Sequence, residues 1–161
     1  MAIREELSVV IERPVEEVFA FATDPENEPL WRSTSLETER TSEGPLGVGA
    51  TFRNTSKFLG RRIESAYEVT EMEPPRRQCI KFVSGPIPGS DCYLFEPAEG
   101  GTRFTQTFVV EVGGFFRLAE PLVARAIRRQ FDADMATLKD VLDAGGTGGV
   151  TPESRSSVRV Y

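Results

Sequence analysis

The residues best suited to chemistry in this chain are polar side chains spaced two apart among large apolar ones. Asn54 and Ser56 follow Phe52, Ser65 and Tyr67 follow Ile63, and Gln106 stands between Phe104 and Phe108. Such alternation puts both kinds of side chain on one face of a strand. A hydroxyl, amide or phenol on an apolar wall must pair inside the protein, with water or with a ligand. Groups of this kind bind and orient rather than attack. Histidine is absent altogether, which removes Ser-His and Cys-His nucleophile pairs, imidazole proton transfer and the commonest metal ligand. Any catalysis falls to carboxylates, Tyr, Lys, Arg, Cys or bound water. Glu111 offers a carboxylate where a cavity would open, without a second acid paired to it. Cys79 and Cys92 show neither a close metal-ligand spacing nor an activated-thiol context. They are expected to be small buried hydrophobes in a reduced setting. No metal and no cofactor is expected.

The elements that must position these residues follow from punctuation and period. Residues 3–12 alternate, with Ile3, Leu7, Val9 and Ile11 to one side, and predict a first strand that Arg13-Pro14 stops. Pro14 suits the first helical position, and Glu16 and Glu17 favour the positive end of the helix dipole. A second short helix is expected over 26–32, after Asp24-Pro25 and with Leu30 and Trp31 apolar. From Ser35 onward the text is one of strands between Gly and Pro turns. SLETERTSE reads as an outer strand. After it, Phe52, Asn54, Ser56 and Phe58 share one face, and Ile63, Ser65, Tyr67 and Val69 share the next. Ile80 and Phe82 align on a further strand, SDCYLFEP supplies another, and Phe104, Gln106, Phe108 and Val110 align on the last. On the outward faces, Arg53 and Glu64 predict a cross-strand ion pair.

The one long helical pattern is LAEPLVARAIRRQFDADMATLKDVL, residues 118–142. Its apolar positions, from Leu118 and Ala119 through Leu122, Ile127, Phe131, Met135 and Leu138 to Leu142, recur every three or four residues. The opposite side carries Arg125, Arg128, Arg129, Asp132, Asp134, Lys139 and Asp140, with Arg128 able to pair with Asp132 one turn on. So one-sided a helix needs a large apolar partner, and strands are what remains. The expected fold is α+β: a curved antiparallel seven-stranded sheet wrapped around the C-terminal helix, with two short helices after the first strand.

The chain of 161 residues is enough for one domain with a real core. That domain is expected over 1–144, with 145–161 a disordered tail rich in Gly and Ser. The net charge of −6 argues against nonspecific nucleic-acid binding. No run of about eighteen apolar residues exists, so no membrane span is expected. The N-terminal MAIREELSVV is unlike a signal peptide, and a cytoplasmic location is expected.

Three local texts, IERPVEEVFAFATDPENEPLW, YEVTEMEPPRRQCIKF and LVARAIRRQFDADMATLKDVL, carry a resemblance to a known family. Together with the order strand, two short helices, six strands, long helix, the chain resembles the START-like helix-grip superfamily (SRPBCC). That group is also described as polyketide cyclase/dehydrase and lipid transport, and the resemblance covers about residues 3–143. It implies the helix-grip fold and a ligand cavity between sheet and helix, in a group that holds binders, transporters and enzymes.

A sheet that grips one helix cannot close fully, and the gap becomes a pocket. The residues expected to bind a ligand there are Trp31, Phe52, Asn54, Phe58, Tyr67, Phe82, Gln106, Phe108, Phe131 and Met135, with Phe104 and Phe115 as further wall candidates and Ser56 and Ser65 as further polar ones. The expected partner is a small hydrophobic or amphipathic molecule. One alternative is a cyclase or dehydratase in which Tyr67 or a pocket water moves protons. Another is a regulatory protein acting through its tail or exposed helix face.

Overall fold

The alternating segments form seven strands in the computed structural model, which describes residues 2–58, 60–85, 88–111 and 120–145. They are β1 (Ala2–Ile11), β2 (Ser35–Arg40), β3 (Thr51–Phe58), β4 (Arg61–Glu73), β5 (Arg77–Ser84), β6 (Gly89–Ala98) and β7 (Gly101–Glu111). Between β1 and β2 lie α1 (Val15–Ala22), a 3-10 turn (Pro25–Asn27) and the single turn α2 (Glu28–Trp31); α3 (Glu120–Asp143) follows β7. Leu118, Ala119 and Phe115 lie outside the described residues, as do the side chain of Phe58 and residues 146–161 of the expected tail.

All seven strands form one antiparallel sheet in the order β1-β7-β6-β5-β4-β3-β2. β2 to β7 are a meander, and the connection through α1 and α2 carries the chain from one edge to the other. β1 meets β7 in unbroken register from Ala2↔Glu111 to Ile11↔Thr102. The close end of that ladder requires Gly101, where a Cβ would overlap the Ile11 carbonyl oxygen.

The stripe of α3 covers the sheet beside β1. Met135, Leu138 and Leu142 join Leu7, Ile11, Val18, Phe19, Phe21, Trp31, Phe95 and Phe104 in the main core. Ile127 and Phe131 reach a second group around Phe108 and Val110. Phe52, Tyr67 and Val69 form a third, with Ile80 and Phe82 against it. The main core seals one end of the molecule, and the space between the other two groups stays open.

Four sequence expectations are corrected by long-range geometry. Asp134, assigned to the solvent side of the helix, is 1% exposed and accepts from Ser33 N at 3.2 Å and Ser33 Oγ at 3.1 Å. Arg128 pairs with Glu5 of β1 at 2.9 Å, across the helix–strand interface. Arg53 pairs with Glu39 of β2 at 3.8 Å, because register sets it opposite Ala66 and not Glu64 on β4. Cys79 and Cys92 face each other across β5 and β6 and are joined as a disulfide. The spacing of two lone cysteines carries no such information; strand register does.

Candidate functional site

Strand alternation builds most of a cavity of about 200 Å³ between the open half of the sheet and α3. Its wall takes Phe52, Asn54 and Ser56 from β3, Ile63, Ser65 and Tyr67 from β4, and Gln78, Ile80 and Phe82 from β5. Asp91 and Tyr93 come from β6, and Phe108 from β7. The helix contributes Ile127, Gln130 and Phe131, the α1–β2 connection adds Glu28, Arg32 and Thr34, and β2 adds Ser35.

Six of the residues expected at the site, Phe52, Asn54, Tyr67, Phe82, Phe108 and Phe131, line this cavity. Their rings touch: Phe52 stacks on Tyr67 at 5.1 Å, Phe82 meets Tyr67 edge-on at 6.3 Å, and Phe131 meets Phe108 edge-on at 4.9 Å. The other residues take different places. Trp31, 1% exposed, belongs to the main core and packs on Phe104 and Tyr93, not at a pocket mouth. Met135 also lies in that core. Gln106 stands behind the wall, donating to Asp91 Oδ2 at 2.8 Å. Phe58 ends β3, and its side chain lies outside the described residues. Asn54 fastens the edge strand, donating to Ser35 Oγ at 2.9 Å and Thr38 Oγ1 at 2.8 Å.

The polar end of the cavity is a buried charge cluster that alternation on β3, β4 and β7 did not reveal. Arg32 follows the short α2, whose Glu28 lies one turn before it. Its guanidinium reaches Asp91 Oδ2 at 3.2 Å, donates to the Tyr93 hydroxyl, and lies 3.9 Å from Glu28 Oε1. The same cation sits over three rings, 4.6 Å from Trp31, 5.5 Å from Tyr93 and 5.6 Å from Phe131. Thr38 Oγ1 donates to Glu28 Oε2 at 2.9 Å, tying the cluster to β2.

Charge placed so deep shifts every titration in the cluster. Burial drives the Asp91 carboxyl upward; Arg32 and Gln106 oppose it, and the balance lies at about 6. Burial also raises Glu28, against the pull of Arg32 and Thr38. The Tyr93 phenol is pushed well above its usual value by burial, with Arg32 opposing. Tyr67 is raised by burial first and by Glu28 next. Both phenols therefore stay protonated near neutrality and act as hydrogen-bonding groups, which disfavours Tyr67 as a proton acceptor. Asp91 thus exchanges its proton near neutral pH.

The arrangement sets an apolar wall beside one polar, charged end. No group of three or more metal-ligating side chains occurs among the described residues, and none of their helices is long and apolar enough to cross a membrane.

The sequence model of a family described as polyketide cyclase / dehydrase and lipid transport matches residues 2–143. No curated protein matches the chain. Among solved structures, TTHA0849 from Thermus thermophilus has a TM-score of 0.75 at 19% identity, covering 90% of this chain and 99% of its own. The Zhui aromatase/cyclase from Streptomyces sp. R1128 has a TM-score of 0.75 at 15% identity, covering 93% and 100%. Ara h 8.0201 has a TM-score of 0.68 at 13% identity, covering 89% and 99%. At these identities the likeness is one of fold.

Proposed function

The chain belongs to the polyketide cyclase/dehydrase and lipid transport family, and from that premise we propose that it binds a small hydrophobic or amphipathic molecule between sheet and α3, for transport or sequestration. The observation that carries this reading is the two-ended cavity, with Phe52, Phe82, Phe108 and Phe131 along its wall and Arg32, Asp91 and Tyr93 at its polar end. Apolar wall area supplies affinity, at about 25 cal/mol per Å² removed from water, and the few polar groups fix orientation. Native mass spectrometry before and after organic extraction tests it. The expected result is a small adduct lost on extraction, together with a higher melting temperature when the extract is added back. Retention of no apolar molecule, and no rise in melting temperature with any member of a lipid and polyketide-like panel, would overturn it.

A second reading, a cyclase- or dehydratase-type enzyme, draws support from Asp91, whose carboxyl titrates at about 6 inside the cavity. As a carboxylate it would take the proton from a carbon beside a carbonyl. The electron pair of that C–H bond would form the enolate, steadied by Arg32 and Tyr93. The enolate would then expel a β-hydroxyl, which would leave as water with the proton returned by Asp91. Turnover of a β-hydroxy ketone to the enone, lost in Asp91→Asn, separates this reading from simple binding.

A further inference from the structure

Asp91 is 5% exposed and lines the cavity, yet only one of its carboxylate oxygens is used. Oδ2 receives both Arg32, at 3.2 Å, and Gln106 Nε2, at 2.8 Å. Oδ1 is buried and has no hydrogen-bond partner. An acceptor held this way is costly unless something donates to it. No neighbouring donor reaches it: Arg32 and Gln106 Nε2 both donate to Oδ2, and the Tyr93 hydroxyl meets Arg32, from which it accepts.

The charges around that oxygen restrict what can. Among the described residues lining the cavity, Asp24, Glu28 and Asp91 are acids and Arg32 is the one base. Arg32 is already shared between Asp91 and Glu28. An incoming carboxylate would meet surplus negative charge at low dielectric and find no free cation. A protonated amine would be drawn by that surplus, but it brings three N–H donors to a single free oxygen and would lose its hydration to leave the others unpaired. A neutral hydroxyl matches the single free oxygen, one donor to one acceptor.

Resting on the reading of the cavity as a ligand site, we propose that Asp91 Oδ1 anchors a neutral hydroxylated apolar ligand, a phenol or an alcohol, and that the acid-rich polar end rejects carboxylates. Asp91 is thereby the specificity-determining residue, and the aromatic wall supplies affinity without discrimination. A site built to accept a hydroxyl hydrogen loses heavily when the ligand cannot donate it.

The test uses the full chain after organic extraction and four compact two-ring probes: 2-naphthol, 2-methoxynaphthalene, 2-naphthoate and 2-(aminomethyl)naphthalene. Affinities are read by calorimetry at pH 7.5. We expect 2-naphthol to bind about tenfold or more tightly than each of the other three, the scale of one hydrogen bond to a charged group. In Asp91→Asn that advantage over 2-methoxynaphthalene shrinks several-fold or more, while 2-methoxynaphthalene itself changes by less than about twofold. Glu28→Gln removes one cavity acid without touching Oδ1; it should leave the preference for 2-naphthol over 2-methoxynaphthalene in place. The wild-type series decides even if Asp91→Asn does not fold. Equal binding of 2-naphthol and 2-methoxynaphthalene overturns the anchor while the cavity reading stands. Tightest binding by the carboxylate overturns the charge argument, tightest binding by the amine overturns the match of one donor to one acceptor, and either result overturns the proposal. If no probe binds and no adduct is extracted, the cavity reading falls and this proposal falls with it.

Discussion

Arg32 and Asp91 stand 59 residues apart in the chain, and their side chains meet at 3.2 Å in the interior, 10% and 6% exposed. The pair joins the α1–β2 connection to the centre of the sheet, so it fixes the roof of the cavity to its floor. Breaking it from one side leaves an uncompensated buried charge.

Arg32→Met is therefore expected to cost about 3–5 kcal/mol. The double variant Arg32→Met/Asp91→Leu should recover much of that loss, since the second change removes the stranded carboxylate. Urea denaturation of both variants measures it. Equal losses in the single and double variants would show that Arg32 acts through its ring contacts rather than its charge.

Acid should stabilise this protein over a range where it unsettles many others. Asp91 titrates at about 6 when folded, above its ordinary value of 3.8. The folded state then binds the proton more tightly, so stability is greatest below the ordinary value and declines as pH rises through about 6. Glu28, also raised by burial, acts in the same direction. Asp143 acts oppositely, because its bond with Lys139 lowers it, but its loss falls below pH 3.8. Between pH 7 and pH 5 the gain from Asp91 alone is about 1 kcal/mol. Melting temperatures across that interval should rise toward pH 5, and Asp91→Asn should flatten the slope.

Phe131 and Leu138 share the stripe of α3 but not its surroundings. Leu138 is fully buried in the main core, and Phe131 is half-buried on the cavity. Leu138→Ala should cost about 2–5 kcal/mol. Phe131→Ala should cost less despite the larger side chain removed, and should change ligand affinity. Thermal denaturation with and without a stabilising ligand checks both halves of this statement.

The Cys79–Cys92 crosslink spans a sequence separation of 13 residues. Loop closure on this scale is worth about 3 kcal/mol. The oxidised protein should weigh two hydrogens less than the reduced one by intact mass. Reduction should lower the melting temperature, and a Cys79→Ala/Cys92→Ala variant should be indifferent to reductant.

Fold and site were legible in the sequence to different depths. The strand faces were readable because period two is written locally: Phe52, Asn54 and Ser56, or Ile63, Ser65 and Tyr67, fall together whatever the rest of the chain does. The long helix was readable for the same reason at its own period. Arg32 was not, because a single arginine after a four-residue helix has no periodic context. Its burial is decided by Asp91 and Tyr93, strands away. A signal did exist on β6, where alternation groups Asp91 with Tyr93 and Phe95, setting an acid among large rings. Asp134 was misplaced because helix period assigns an angle and cannot show that Ser33 arrives at that angle. Trp31 was placed at a mouth by its position after α2, whereas Phe104 and Tyr93 close over it.

Most polar fastenings of α3 run along the border with β1. Lys139 donates to the Val10 carbonyl at 2.9 Å, Arg128 grips Glu5, Arg13 donates to the Leu142 carbonyl at 2.8 Å, and the Glu12 amide donates to Asp143 at 2.8 Å. Asp134 adds the tie to Ser33. Toward β5, by contrast, Phe82 and Phe131 belong to the same apolar cluster, and no hydrogen bond or ion pair joins α3 to β3, β4 or β5 among the described residues. The molecule is thus bound like a book, with its spine along β1 and its fore-edge at β3–β5. Parting the helix from β3–β5 would break only apolar contacts at the fore-edge, where the cavity lies, and would leave the stitching along β1 intact. A guest bound as proposed would come and go by riffling that margin while the rest of the volume stays shut.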